Sequence, residues 1–252
     1  MNCMIVSIVL WVWLVLMAVA TGSFLGVVIS RLPKHQPILL GRSECPSCHT
    51  KLGARDLIPI ASFLWQGGRC RYCKARIDRF HLWAELTALA VVLLAASRAQ
   101  SPGDFASLCL LGFLLLVLAW IDAEHLWLPD VIMLPGILAG LAVCWFLEPA
   151  ALADHAAGAA LGFLSLAAIR VCYRWLRGRD GLGLGDAKLL ALAGAWTGWQ
   201  HLATIMLGAA LLGICLILIG RSRGSTTRSS AKYPLGSFMA PFIFLAALRL
   251  LP

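Results

Sequence analysis

The chain has 252 residues, 60% of them hydrophobic and 13% charged, with a formal net charge of +9. Soluble domains run at about 45–50% apolar and about 25% charged, so this chain has too few polar side chains to cover a water-exposed surface. Disorder needs low hydrophobicity, and a disulfide-stapled module needs denser cysteine than 9 in 252; a polytopic membrane protein remains.

The first apolar run, residues 3–29, is too long for a signal-peptide core and has no basic residue before it. It is expected to be a true first span. A polar stretch follows over 30–81. Further apolar runs lie at 82–97, 105–121, 131–147, 151–171, 187–199, 202–220 and 235–251. The expected fold is therefore all-α: a transmembrane bundle of about eight spans with one small cytoplasmic loop. The expected divisions are 1–29 for the first helix, 30–82 for the loop and 83–252 for the membrane core.

Ten Lys and Arg residues fall in 30–81, five in 170–188 and four in 221–232. With eight spans these 19 of 21 basic residues share one face, and only Arg98 and Arg249 fall on the other. Cytoplasmic loops carry the excess of Lys and Arg, so that face is expected to be cytoplasmic. The charge then reports topology, and no nucleic-acid partner is expected. Gly22/Gly26, Gly136/Gly140, Gly158/Gly162 and Gly194/Gly198 recur at a spacing of four, which lets helix backbones approach closely in lipid.

The polar loop holds Cys45-Pro46-Ser47-Cys48 and Cys70-Arg71-Tyr72-Cys73, with 21 residues between them. Each pair can present two thiolates from one turn, and four thiolates close a tetrahedral zinc site. Such a site has no open position and is structural. A pair of redox dithiols is the alternative. Cys3, Cys109, Cys144, Cys172 and Cys215 lie in apolar runs and are expected to pack as small hydrophobes.

Asp122 ends the third run, and Asp186 begins the sixth after Gly181, Gly183 and Gly185. Charges near bilayer depth are costly and mark function. Two aspartates on different helices at similar depth can converge into a pair that shares a proton, with one acting as general base on water. Each can equally be an interfacial helix cap, and the two readings stay open on position alone. Asp130, after Pro129, is expected to cap the next helix. Glu124 and His125 are expected in a loop, Lys188 as partner to a carboxylate, and Glu85 as partner to a loop arginine. A zinc-knuckle transporter with proton-carrying acids is a further alternative, although no repeat is visible.

Taken together these residues resemble the prepilin peptidases, the type IV leader peptidase family. The run from Gly22 through Arg31 to Pro33 is similar to the family's opening Gly-Ser-Phe-Leu-Asn-Val-Val-Ile-x-Arg-Leu-Pro. The paired Cys-x-x-Cys knuckle follows, then Asp122 with Leu128-Pro129-Asp130, then Gly183-Leu184-Gly185-Asp186-Ala187-Lys188. Gly26 stands in place of the family's Asn, Glu85 falls one residue late, and the segment from Tyr233 to Pro241 echoes a terminal family element loosely. The resemblance implies an aspartic peptidase of the bacterial inner membrane, active at the cytoplasmic face. It implies catalytic Asp122 and Asp186, zinc on Cys45, Cys48, Cys70 and Cys73, and prepilin or pseudopilin substrates. It also implies N-methylation with S-adenosylmethionine, associated with the 30–82 loop. An acidic strip of Asp122, Glu124 and Asp130 is expected to receive the basic leader.

Overall fold

The computed structural model describes residues 2–38, 43–178, 183–222 and 233–250. Among them there is no strand, only two isolated bridges in the polar loop. The chain divides into two compact units, Met1–Ser97 and Arg98–Pro252.

In the first unit, α1 (Asn2–Arg31) and α3 (Phe80–Arg98) flank the loop, which carries one short helix, α2 (Ala61–Trp65). The glycines of α1 seat α3. A Cβ on Gly22 would lie 2.8 Å from Ala88 Cβ, and one on Gly26 would lie 3.3 Å from the His81 ring. Backbone approach through small residues is what holds helices together in lipid, where apolar side chains gain nothing by leaving the solvent.

The second unit contains α4 (Pro102–His125), α5 (Asp130–Leu147), α6 (Leu152–Arg177), α7 (Leu184–Thr197), α8 (Leu202–Ser222) and α9 (Leu235–Leu250). Its centre is α7, which packs on α5, α6, α8 and α9. Gly158 and Gly162 of α6 meet the α7 backbone at Gly194 and Leu190, and Gly136 and Gly140 of α5 receive Leu192 and Trp196. Trp196 Nε1 donates to the Gly136 carbonyl at 2.9 Å. All four glycine pairs thus border a helix contact.

The eight apolar runs all form helices, but the count of spans is corrected. Among the described residues, six helical segments are long and apolar enough to cross a membrane: Trp11–Lys34, Phe80–Arg98, Pro102–His125, Asp130–Leu147, Pro149–Arg177 and Trp199–Gly220. At 1.5 Å per residue, the 14 residues of α7 extend only about 21 Å, short of the roughly 30 Å hydrocarbon core. The 16 residues of α9 extend about 24 Å. The reason for α7's apolar character is protein, not lipid: every residue from Leu189 to Thr197 is buried. A helix apolar on all sides is one surrounded by other elements.

The two helices α6 and α7 run antiparallel. His155 Nδ1 lies 2.9 Å from the Ala195 carbonyl, and Trp199 and Gln200 donate to Asp154 in the first turn of α6. The end of α7 is therefore level with the start of α6. Because Leu190 meets Gly162, Asp186 one turn earlier falls near the middle of α6, well inside the bundle.

Candidate active site and metal centre

Asp122 sits in the last turns of α4 and is 5% exposed. A helix C-terminus carries partial negative charge and disfavours a carboxylate, so Asp122 is not there as a cap. Its partners come from another helix. Ser237 in the first turn of α9 donates its backbone N–H to Asp122 Oδ2 at 2.9 Å. Ser237 Oγ donates to the Ala119 carbonyl at 2.6 Å and lies 3.3 Å from the same Oδ2. A Cβ on Gly236 would stand 2.9 Å from Oδ2, so only glycine admits the carboxylate here. The positive N-terminal end of α9 thus faces the Asp122 charge.

Asp186 is half-buried in the first turn of α7, where Gly183 is the N-cap residue. The Gly183 N–H donates to its carboxylate, so the capping reading holds for Asp186 in part. It does not exhaust the residue, because its neighbour Gly185 lies against the same leucine as Gly236, next to the Ser237 that holds Asp122. Leu128 explains the closeness. It is buried and meets both glycines of the cluster: a Cβ on Gly185 would lie 3.1 Å, and one on Gly236 3.2 Å, from Leu128 atoms. The ends of α4, α7 and α9 therefore converge on one leucine, and the two aspartates converge with them.

Several expectations for the neighbouring residues are corrected. Glu124 and His125 belong to the final turn of α4, which closes on Leu126 in the left-handed region (φ 52°). The N-cap of α5 is Pro129, and Asp130 begins the helix without a side-chain cap bond. Asp130 is taken by Lys188 instead, with Nζ at 2.7 and 2.8 Å from its two oxygens, so Lys188 does pair with a carboxylate. Of the expected acidic strip Asp122 is buried, whereas Glu124 and Asp130 remain about half exposed, Asp130 with Lys188 on its oxygens. Glu85 is buried as expected, but its partner is backbone: the Ile60 N–H donates to Oε2 at 2.6 Å.

The four loop cysteines come together. Their sulfurs all lie within 4.8 Å of one another, with Cys45 Sγ and Cys73 Sγ 3.7 Å apart. Tetrahedral zinc with Zn–S near 2.3 Å requires sulfurs about 3.8 Å apart. The two halves repeat one local fold. In each, the residue after the second cysteine is left-handed, His49 (φ 55°) and Lys74 (φ 61°), and its N–H donates to the first cysteine's carbonyl. The first cysteine's N–H then donates to the carbonyl of Thr50 or Ala75. Cys48 Sγ lies 3.3 Å from Thr50 Oγ1, and hydrogen bonding with Thr50 lowers the Cys48 thiol from its ordinary value, toward the thiolate form that binds metal. Among the described residues no cysteine is in a disulfide; Cys3 lies outside the residues whose side chains are described.

The chain has six helices long and apolar enough for a multi-pass membrane protein, with buried Asp122 and half-buried Asp186 at helix ends that share Leu128 in one unit and a four-thiolate, metal-competent loop in the other. Residues 16–99 match the family model for the bacterial peptidase A24 N-terminal domain, and residues 109–218 match that of the type IV leader peptidase family. The chain is 35% identical to a prepilin leader peptidase/N-methyltransferase of Aeromonas salmonicida, over 89% of this chain and 86% of that protein. It is 34% identical to one of Pseudomonas aeruginosa (90% and 86%) and 38% identical to one of Dickeya chrysanthemi (82% and 83%). No solved structure matches. The protein belongs to the type IV leader peptidase family.

Proposed function

We propose that this protein is an aspartic endopeptidase of the bacterial inner membrane. Its substrates are type IV prepilins or type II secretion pseudopilins, whose leader it removes and whose new N-terminus it then methylates. The observation that carries the reading is the shared contact of Leu128 with Gly185, beside Asp186, and with Gly236, beside Asp122, which brings together helix ends far apart in sequence. Asp122 Oδ2 is occupied by Ser237, which leaves Oδ1 to accept a proton from the attacking water. The other carboxyl, protonated, donates to the scissile carbonyl oxygen. Water attacks the carbonyl carbon, the tetrahedral intermediate collapses, and the C–N bond breaks as the amine takes a proton from the pair.

A cytoplasmic site is supported by the basic residues of 30–81 and 170–188. These 15 of 21 follow the first and the fifth of the six long helices, and so share a face whether or not α7 and α9 cross. In this reading α1 anchors the chain, the 30–82 loop is a zinc-stapled module, and 83–252 is the peptidase core.

Zinc fits the loop. Cys45, Cys48, Cys70 and Cys73 fill all four positions, so the ion cross-links the loop and takes no part in hydrolysis. S-adenosylmethionine supplies a methyl group as a sulfonium cation. A cavity of about 530 Å³ in the loop has the size for such a cofactor. However, Arg55, Arg69, Arg71 and Lys74 line it, and its carboxylate, Asp56, is already engaged by Gln66 and Gly53. This lining does not fit a cation, and we assign no residue to the cofactor.

The test is co-expression of a prepilin with Asp122→Ala or Asp186→Ala, read by the size of the pilin on a gel. Each variant is expected to leave the leader in place while inserting normally. Full processing by either one would end the paired-carboxylate mechanism.

A further inference from the structure

The same loop cavity carries a different ligand. The four cations that line it are exposed, and among the described residues none of them forms an ion pair. Such an arrangement is a receptor for an anion. The apolar residues around it say where the anion comes from. Trp65 lines the same cavity and is 80% exposed; Leu64 is 65% exposed, with Leu57 and Ile58 also open. An exposed tryptophan with aliphatic neighbours and a ring of cations is the composition of a membrane-interface anchor.

The backbone fixes this segment at a membrane helix. Ile60 has a positive φ (59°, ψ −53°), a γ-turn conformation that is rare and strained for a β-branched residue. The Ala61 N–H donates across it to the Pro59 carbonyl at 2.5 Å, and the Ile60 N–H donates to buried Glu85 of α3 at 2.6 Å. Glu85 lies five residues inside α3, about 8 Å along the helix axis. The turn bearing Leu57, Ile58, Leu64 and Trp65 is thereby tied to the first turns of α3, a helix long and apolar enough to cross a membrane.

We propose that this cavity binds the phosphate headgroup of an anionic phospholipid, with Arg55, Arg69, Arg71 and Lys74 on the phosphate and Trp65 and Leu64 among the acyl chains. Glu85 is then a positioning residue that sets the depth of the anchor. The proposal is independent of the peptidase reading. Each cation near an anionic surface adds to the attraction, which salt screens.

The full-length protein, reconstituted in vesicles, tests it by tryptophan quenching. The contribution of Trp65 is the difference between the wild type and Trp65→Phe. One vesicle set carries bromine on phosphatidylglycerol acyl chains and the other on phosphatidylcholine, at equal bromine and equal lipid composition. Trp65 is expected to be quenched about twofold more by brominated phosphatidylglycerol. The preference is expected to vanish when Arg55, Arg69, Arg71 and Lys74 are all changed to Gln. If that variant does not fold, Arg55→Gln alone, outside the knuckles, should reduce the preference. Equal quenching by the two lipids, or none of Trp65, overturns the proposal. Loss of the preference in millimolar inorganic phosphate also overturns it, by showing a site for a soluble anion.

Discussion

The loop and the aspartate cluster gather their groups in opposite ways. All four thiolates come from residues 45–73, by two copies of one tight turn whose hydrogen bonds are nearly all local. The cluster draws on Asp122, Leu128, Gly185, Asp186, Gly236 and Ser237, from three helices and the bend after the first. A locally folded site stands or falls with its metal. A site assembled over such distances stands or falls with helix packing, and its geometry is only as good as the contact between α6 and α7, the most extensive in the second unit.

The largest effect should therefore follow from a change far from the aspartates. A Cβ on Gly194 would penetrate the Gly158 backbone, and no rotamer relieves an overlap with main chain. Gly194→Val should destabilise the second unit by about 3 kcal/mol or more and abolish cleavage. Its bound zinc, measured by metal analysis, should stay at one per chain, because the knuckle belongs to the other unit. Loss of zinc together with activity would break the distinction.

Within the cluster, Gly236→Ala drives a methyl group against Asp122 Oδ2 and should lower kcat about 100-fold, the scale on which misplacement of a catalytic group by an ångström is felt. Ser237→Ala removes only the Oγ interactions and keeps the N–H bond. At about 1–1.5 kcal/mol for a hydrogen bond, kcat should fall about 10-fold with KM unchanged, and Ser237→Thr should restore most of it.

Removing the metal is expected to do less to cleavage. All residues of the carboxylate cluster lie in the second unit, so chelation, or Cys70→Ser with Cys73→Ser, should cost cleavage less than about 10-fold while the loop loses its order. Limited proteolysis within 43–79 should report that loosening.

The same contrast explains what could be read from the sequence. The knuckle was readable in full, because the spacing of two Cys-x-x-Cys pairs already encodes the turn. For the aspartates, residue type and position near helix ends were readable, but convergence was not: it depends on Leu128 filling the space left by two glycines. Ser237 is not marked as a partner by residue type or position. Its only signal is a Gly-Ser pair opening the last apolar run, which says that a backbone can come close without saying to what. The charge of Glu85 suggests an arginine partner, but its backbone partner exists only through the γ-turn at Ile60. The span count failed for a related reason. Hydropathy cannot distinguish a helix wrapped in lipid from α7, wrapped in helices.

The smallest effect is expected at Lys188, although it sits two residues from Asp186. Its bond to Asp130 is bidentate and ties α7 to the start of α5, and the carboxylate side of the pair is more than half exposed. Ion pairs open to solvent contribute about 0–1 kcal/mol. Moreover, Leu128 and Pro129, both buried, already hold the start of α5 by packing. Lys188→Ala should thus lower stability by less than about 1 kcal/mol and leave kcat within about threefold, the rate equivalent of less than 1 kcal/mol, with the residual effect fading as salt is raised. A loss of 100-fold or more at high salt would mean that the lysine charge itself acts on the carboxylate pair, and the cluster would then extend one residue further along α7 than its packing indicates.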